Sequence, residues 1–276
     1  MLYLINNDCE NYIWKINLLK FLNDISLNSG YMEKITSIAN TKIQDIKKLL
    51  SSKDERVSKC LFLAEGVNIV KDIPNQYIKQ LLMTEYTYNK YPEIATKCSS
   101  LYILTDKVMN AISDTKTPSG VVAVCDKDIK VNDSTSCVVL DNLQDPGNAG
   151  TIIRTAVACG ISTIYCYGDC VDLYSPKVVR SSMGGIFFVN VKRLDNKEDI
   201  DCALLVLDMA GENLFEFDNI PEKFALLVGN ESKGVSKEMR AQADRIISLP
   251  MSKNMESLNA GVSLSIALYN LMNIKR

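Results

Sequence analysis

The chain has 276 residues, a formal net charge of −2 and a hydrophobic content of 47%, enough apolar surface for one large or two small packed units. It contains no histidine, which excludes Ser-His-Asp triads, Cys-His dyads and histidine metal ligands. Its slightly acidic balance argues against nucleic-acid binding over the whole surface and allows only a local basic patch.

Residues 1–30 are Asn-rich and read as an extension, with one short amphipathic patch from Ile13 to Leu22. Asp8, Glu10 and Lys15 interrupt this stretch, so it does not read as a signal peptide. No run of about 18 apolar residues follows anywhere, so no membrane span and a cytoplasmic location are expected. Met32 reads as an alternative start. After it, Ile35, Ile38, Ile43, Ile46, Leu49 and Leu50 recur at helical spacing. Lys42, Lys47, Lys48, Lys53, Arg56 and Lys59 make this the most basic stretch. It is either a solvated helix face or an RNA-contacting arm.

Between 60 and 126, CLFLAEG, QLLMTE, SLYILTD and GVVAVCD read as strands, and GVNIVKDI and DKVMNAIS as helices. The polar, turn-rich residues 127–136 read as a linker. Beyond it, CVVLD, STIYCYG, FFVNV, ALLVLD and FALLVG are continuous apolar runs, the mark of parallel strands buried on both faces. The expected class is therefore α/β: a small α/β unit over 31–126, a linker over 127–136, and an open parallel-sheet unit over 137–276. In such sheets ligands gather at the carboxyl ends of strands, which points to the loops after Asp141, Asp208 and Gly229. The nine cysteines include no CxxC pair and read as reduced thiols. Cys166 and Cys170 form a lone CxxxC that nothing completes, so no metal is expected.

Three loops carry the candidate chemistry. In the first, Asp145 is a helix N-cap and Pro146 suits the first helical position. Ala149, Ile152, Ile153, Ala156, Val157 and Gly160 then share one face. Asn148, Thr151 and Arg154 lie off that stripe, where an arginine can reach an anion above the sheet. In the second, Gly229 and Gly234 frame a loop containing Asn230 and the carboxylate Glu231. In the third, Leu249, Met251, Ser257, Leu258 and Asn259 precede a last helix whose apolar stripe reads Leu258, Val262, Ile266, Tyr269, Met272. Ser257 suits the N-cap of that helix, whereas packing explains Asn259 less easily.

The order and spacing of PGNAGTIIR, GNESKG and LPM…ESLN resemble the three signature motifs of the SpoU (TrmH) family of RNA 2′-O-ribose methyltransferases, in the SPOUT superfamily. SPKVVRSSMGGIF, residues 175–187, is similar to the family's segment between the first two motifs. FLAEG and TPSGVVAV resemble the ribosomal-protein-like substrate-binding domain of many members. The resemblance covers about residues 33–274. It implies a trefoil-knotted C-terminal domain whose last helix is the tucked element, a homodimer with its active site at the interface, and S-adenosylmethionine held by Gly229, Asn230, Leu249, Met251 and Leu258. It assigns the catalytic role to Arg154, with Asn148, Glu231, Ser257 and Asn259 arranged around it. Lys177, Arg180 and Lys253 are the expected RNA contacts. The implied substrate is RNA, ribosomal RNA first; the alternatives are tRNA and a catalytically silent RNA-binding or ribosome-assembly protein of the same fold. Two positions depart from the family pattern: Ser232 follows Glu231 where the family usually has Gly, and Ser252-Lys253-Asn254 replaces a Gly after Pro-Met.

Overall fold

The computed structural model describes residues 31–216 and 218–273; the expected extension over 1–30 lies outside them. The chain builds two sheets. The first is mixed, in the order β1-β4-β3-β5-β2, from β1 (Tyr31–Ile35), β2 (Leu61–Glu65), β3 (Ile78–Thr84), β4 (Ser100–Leu104) and β5 (Val121–Asp126). β5 runs antiparallel to its neighbours β2 and β3. Its connecting helices are α1 (Thr41–Ser51), α2 (Lys53–Lys59), α3 (Val67–Asp72), α4 (Glu85–Lys90), α5 (Pro92–Ala95) and α6 (Asp106–Ile112).

The second sheet is parallel throughout. Its strands are β6 (Cys137–Asp141), β7 (Thr163–Tyr167), β8 (Asn190–Leu194), β9 (Ala203–Asn213), β10 (Phe224–Val228) and β11 (Arg245–Ser248), in the order β11-β9-β10-β6-β7-β8. Helices α7 (Pro146–Ala158), α8 (Pro176–Ser181), α9 (Lys237–Ala241) and α10 (Ala260–Asn273) accompany it. β6 and β10 are buried along their whole length, as unalternating Val/Leu/Ala runs require. β11 lies at the edge, yet α10 packs on α7 and β10. The chain from 249 to 259 therefore crosses back over the carboxyl ends of β9 and β10.

Four local expectations are corrected. The helical spacing that starts at Ile35 is two elements: β1 pairs in parallel with β4 and buries Ile35, and α1 begins only at Thr41, after Asn40 caps Lys42 N. In FFVNV, Gly185–Phe188 forms a single 3₁₀ turn and the strand starts at Asn190. β9 does not end in a loop at Asp208 but runs on to Asn213 beside β11, where a Cβ on Gly211 would lie 2.5 Å from the Ile247 backbone. In α10 Leu264, Ala267, Leu268 and Leu271 are buried, whereas Val262, Ile266 and Tyr269 are exposed, as is Leu258 ahead of the helix. That helix is apolar on almost every face, so periodicity could not tell which face α7 would cover.

The two sheets share a core. Phe62 of β2 stacks at 5.1 Å on Tyr174 and 5.3 Å on Phe187, and Tyr77 meets Phe187 at 5.3 Å. Arg56 of α2, only 5% exposed, crosses the same boundary. Its Nε donates to Asp172 Oδ2 (2.8 Å) and its Nη1 to the carbonyls of Leu49 (2.5 Å) and Leu50 (3.2 Å). Residues 127–136 are held too: Val131 and Asn190 exchange two hydrogen bonds, and Asp133 accepts from Lys192, Asn190 and Thr163. The basic stretch is mostly paired, with Lys42 on Glu33, Lys48 on Asp45, and Lys59 on Asp45 and Glu55. Arg56 is a buried structural cation, which removes it from any RNA-contacting arm.

Candidate functional site

The site begins where β6 and β10 end side by side. Asp141, fully buried at the end of β6, accepts from Ser236 N (2.6 Å) and Asn142 Nδ2 (2.7 Å), which ties the loop after β10 to the loop after β6. Asn230 tightens it, with Nδ2 donating to Asn142 O (2.8 Å) and Oδ1 accepting from the Ser232 and Lys233 backbones (both 3.0 Å). Asn230 and Gly234 exchange two backbone bonds of 2.9 Å, closing a small hairpin. Gly229 must be glycine here, because a Cβ would lie 2.4 Å from the Gly234 backbone. Gly234 sits at φ +69°, in the left-handed region glycine favours.

Glu231 rides on this hairpin and reaches the helix α7. Its carboxylate accepts from Asn148 Nδ2 (3.0 Å), Asp145 N (3.0 Å) and Gln144 N (3.3 Å). Partial burial pushes the Glu231 carboxyl up, but the Asn148 amide and the backbone donors outweigh it, and the group sits below the usual carboxylate range. Asp145 caps α7 by accepting from Asn148 N (2.8 Å). Asn148 itself is buried, against the expectation that it lies off the packed face, because Gly261 of α10 packs at its backbone.

A cavity of about 440 Å³ opens beside the hairpin. Gly229, Asn230, Leu249, Met251 and Leu258 all line it, as do Glu231 and Ser257. Apolar side chains from the 249–259 segment and the backbone of the β10 loop suit a flat heteroaromatic ring. Three carboxylates, Asp208, Glu231 and Glu256, against Lys233 and the Arg240 that pairs with Asp208 leave one net negative charge, which suits a cationic ligand. S-adenosylmethionine, a purine joined to a sulfonium, fits this donor set. Asp208 was not among the sequence candidates, although the strand end carrying it was. Its carboxylate pairs with Arg240.

Arg154, Asn148 and Asn259 do not line the cavity. Arg154 is exposed on α7, in line with Thr151 and Ala158, and has no ion-pair partner among the described residues. Its backbone lies 3.5 Å from where a Cβ on Gly185 would stand. Asn259 accepts from Val262 N (3.1 Å) and so caps α10. The cap expected at Ser257 thus falls two residues later, leaving Ser257 free to face the cavity. Lys177 and Lys253 are exposed, and Arg180 pairs with Asp114 at 3.1 Å.

Two family models match the chain: residues 135–269 fit the SpoU rRNA Methylase family, and residues 40–123 fit an MRM3-like substrate binding domain. Among curated relatives, the 23S rRNA (guanosine(2553)-2′-O)-methyltransferase RlmP of Bacillus subtilis is 32% identical over 249 residues, covering 87% of this chain and 99% of the relative. The 23S rRNA (uridine(2479)-2′-O)-methyltransferase of Streptomyces viridochromogenes is 27% identical over 86% of this chain and 90% of its own length. Among solved structures, an AdoMet-bound rRNA methyltransferase from Sinorhizobium meliloti superposes with a TM-score of 0.76 at 28% identity, over 88% of this chain and 98% of that one. The hairpin that seats Glu231 on α7, the cavity beside it and these full-length likenesses agree, and the chain belongs to the SpoU rRNA methylase family.

Proposed function

We propose that the protein transfers a methyl group from S-adenosylmethionine to a ribose 2′-hydroxyl of RNA, with large-subunit ribosomal RNA as the substrate class. The observation that carries this reading is that Gly229, Asn230, Leu249, Met251 and Leu258 line one cavity, which Glu231 couples to the first turn of α7. When bound there, S-adenosylmethionine supplies an electrophilic methyl on a positively charged sulfur. Leu249, Met251 and Leu258 would hold its apolar ring, and the backbone of 229–234 would meet its polar edges. Ser257 adds a hydroxyl to the lining.

The ribose hydroxyl becomes a good nucleophile only as its proton leaves, here to water. A guanidinium is a cation that does not serve as a base, so the role of Arg154 is to stabilise the developing alkoxide and to grip the adjacent phosphate with its planar fork. In one protomer Arg154 points to solvent, away from the cavity. Beside it, α10 exposes Val262, Ile266 and Tyr269, one apolar face that no described residue covers. A homodimer packed through this face completes the site by bringing one protomer's Arg154 to its partner's cavity. A cytoplasmic location goes with such a substrate; no described helix is long and apolar enough to cross a membrane.

The test is single-turnover methyl transfer to an unmodified 23S rRNA transcript, with S-adenosylmethionine titrated alongside. Arg154→Ala should lose roughly 100–1000-fold in rate while cofactor affinity persists, and Arg154→Lys should recover little. Transfer within a few-fold of the parent overturns the assigned role.

A further inference from the structure

A second cavity, of about 350 Å³, lies at the junction of the two sheets. Gly66, Val67, Asn68 and Thr117 line it from the N-terminal unit, and Arg180 and Met183 from the C-terminal one. The end of FLAEG and the start of TPSGVVAV both contribute to it, and they meet here for a physical reason. Glu65 ends β2, and its carboxylate accepts from Ser113 Oγ (2.6 Å), Thr115 Oγ1 (2.9 Å) and Asp114 N (3.2 Å). These bonds fix the 113–119 loop and present Asp114 to Arg180.

The Arg180–Asp114 pair is open to water, with the two side chains 36% and 42% exposed. An ion pair so exposed contributes little to stability, so it exchanges cheaply for another anion. Beside it Met183, 53% exposed at φ +49°, offers an apolar face in a backbone conformation that methionine seldom adopts. From Met183 the chain turns directly into Gly185, which packs on the backbone of Arg154.

Resting on the function proposed above, we propose that this junction cavity is a subsite for a nucleotide of the substrate strand near the target. Its phosphate takes Arg180 from Asp114, and its base enters between Gly66 and Met183. Asp114 thus stands in for phosphate in the free protein. A guanidinium grips phosphate with two parallel bonds, and the flexible thioether of Met183 suits a base face.

The test is equilibrium binding of an unmodified 23S rRNA transcript by the full chain, with methyl transfer measured in parallel. Arg180→Ala should raise Kd about tenfold, with S-adenosylmethionine affinity and melting temperature unchanged. Asp114→Asn should lower Kd about threefold in the parent and have no effect in the Arg180→Ala background. Asp195→Asn makes the same charge change outside the cavity and should do neither. Met183→Asn suits the left-handed backbone, so it should keep or raise the melting temperature while weakening RNA binding. The proposal is overturned if Arg180→Ala binds like the parent, or if Asp114→Asn acts equally in both backgrounds. A parent that binds the transcript but transfers no methyl group refutes the enzymatic reading instead and leaves the binding cycle decisive for this one.

Discussion

Replacing Arg56 separates a structural cation from an RNA contact. Its guanidinium is buried, bridges two units through Asp172 and satisfies two carbonyls at the end of α1. Asp172 has a side-chain exposure of 16%, so removing Arg56 strands a carboxylate that water barely reaches. Breaking one side of such a pair costs about 3–5 kcal/mol. At roughly 2 °C per kcal/mol for a chain of this size, Arg56→Met should melt about 6–10 °C below the parent in scanning calorimetry. Arg56→Met with Asp172→Asn should be more stable than Arg56→Met alone, because the stranded charge is gone while Tyr174 N keeps its acceptor. The slope of RNA affinity against salt should stay the same, since no phosphate contact is lost. If Arg56→Met melts within 2 °C of the parent while that slope falls, the residue is an RNA contact and the packing argument fails.

Three further outcomes are expected. Gly229→Ala should weaken S-adenosylmethionine binding at least tenfold by calorimetric titration, because its Cβ meets the Gly234 backbone at 2.4 Å and opens the hairpin; an unchanged affinity in a folded variant moves the binding cavity elsewhere. Glu231 is held below the ordinary carboxylate range by Asn148 and backbone donors despite its burial, so its stabilisation is full above about pH 4.3 and is lost as pH falls through its lowered folded value. The melting-temperature gap between parent and Glu231→Gln should thus be constant from pH 6 to 8 and close in acid; a gap that widens in acid contradicts the assignment. Asn259→Ala removes the α10 cap and should cost about 1 kcal/mol of stability, and a variant that keeps its melting temperature but loses turnover would show instead that Asn259 acts on the substrate.

What the sequence made legible follows from how each residue is held. Glycines are legible where backbones must approach, and Gly229 sits where a fixed hairpin leaves no room for a side chain. The N-cap at Asp145 and the centre of the α7 stripe, Ala149, Ile152, Ile153 and Ala156, are local, so spacing reveals them, whereas Gly160 falls beyond the helix and is exposed. The buried side of α10 is not local: its residues are apolar nearly all round, and only the surfaces of α7 and β10 decide that Leu264 and Leu268 go inward while Ile266 and Tyr269 stay out. Arg56 misleads for a similar reason. A lysine-rich neighbourhood predicts solvent, but its partner lies 116 residues away in a loop no periodicity connects to it. β11 escapes notice because it is four residues long with only two apolar residues, Ile246 and Ile247. Arg154 is conspicuous in the sequence, yet among the described residues it has no ion-pair partner and does not line the cavity.

The aromatic cluster of Phe62, Tyr174 and Phe187, sealed by Arg56, has a consequence for recognition. Domains joined by a loose tether search for their sites separately and gain from high local concentration. Here the tether is sewn down and the boundary is filled with rings, so the N-terminal unit cannot reposition without breaking the core. On the function proposed above, the molecule would act as a fixed caliper: if the first unit holds an RNA feature, the reacting ribose must lie at one set offset from it. Selectivity then rests on the distance between two points of a folded RNA as much as on the bases touched at either end.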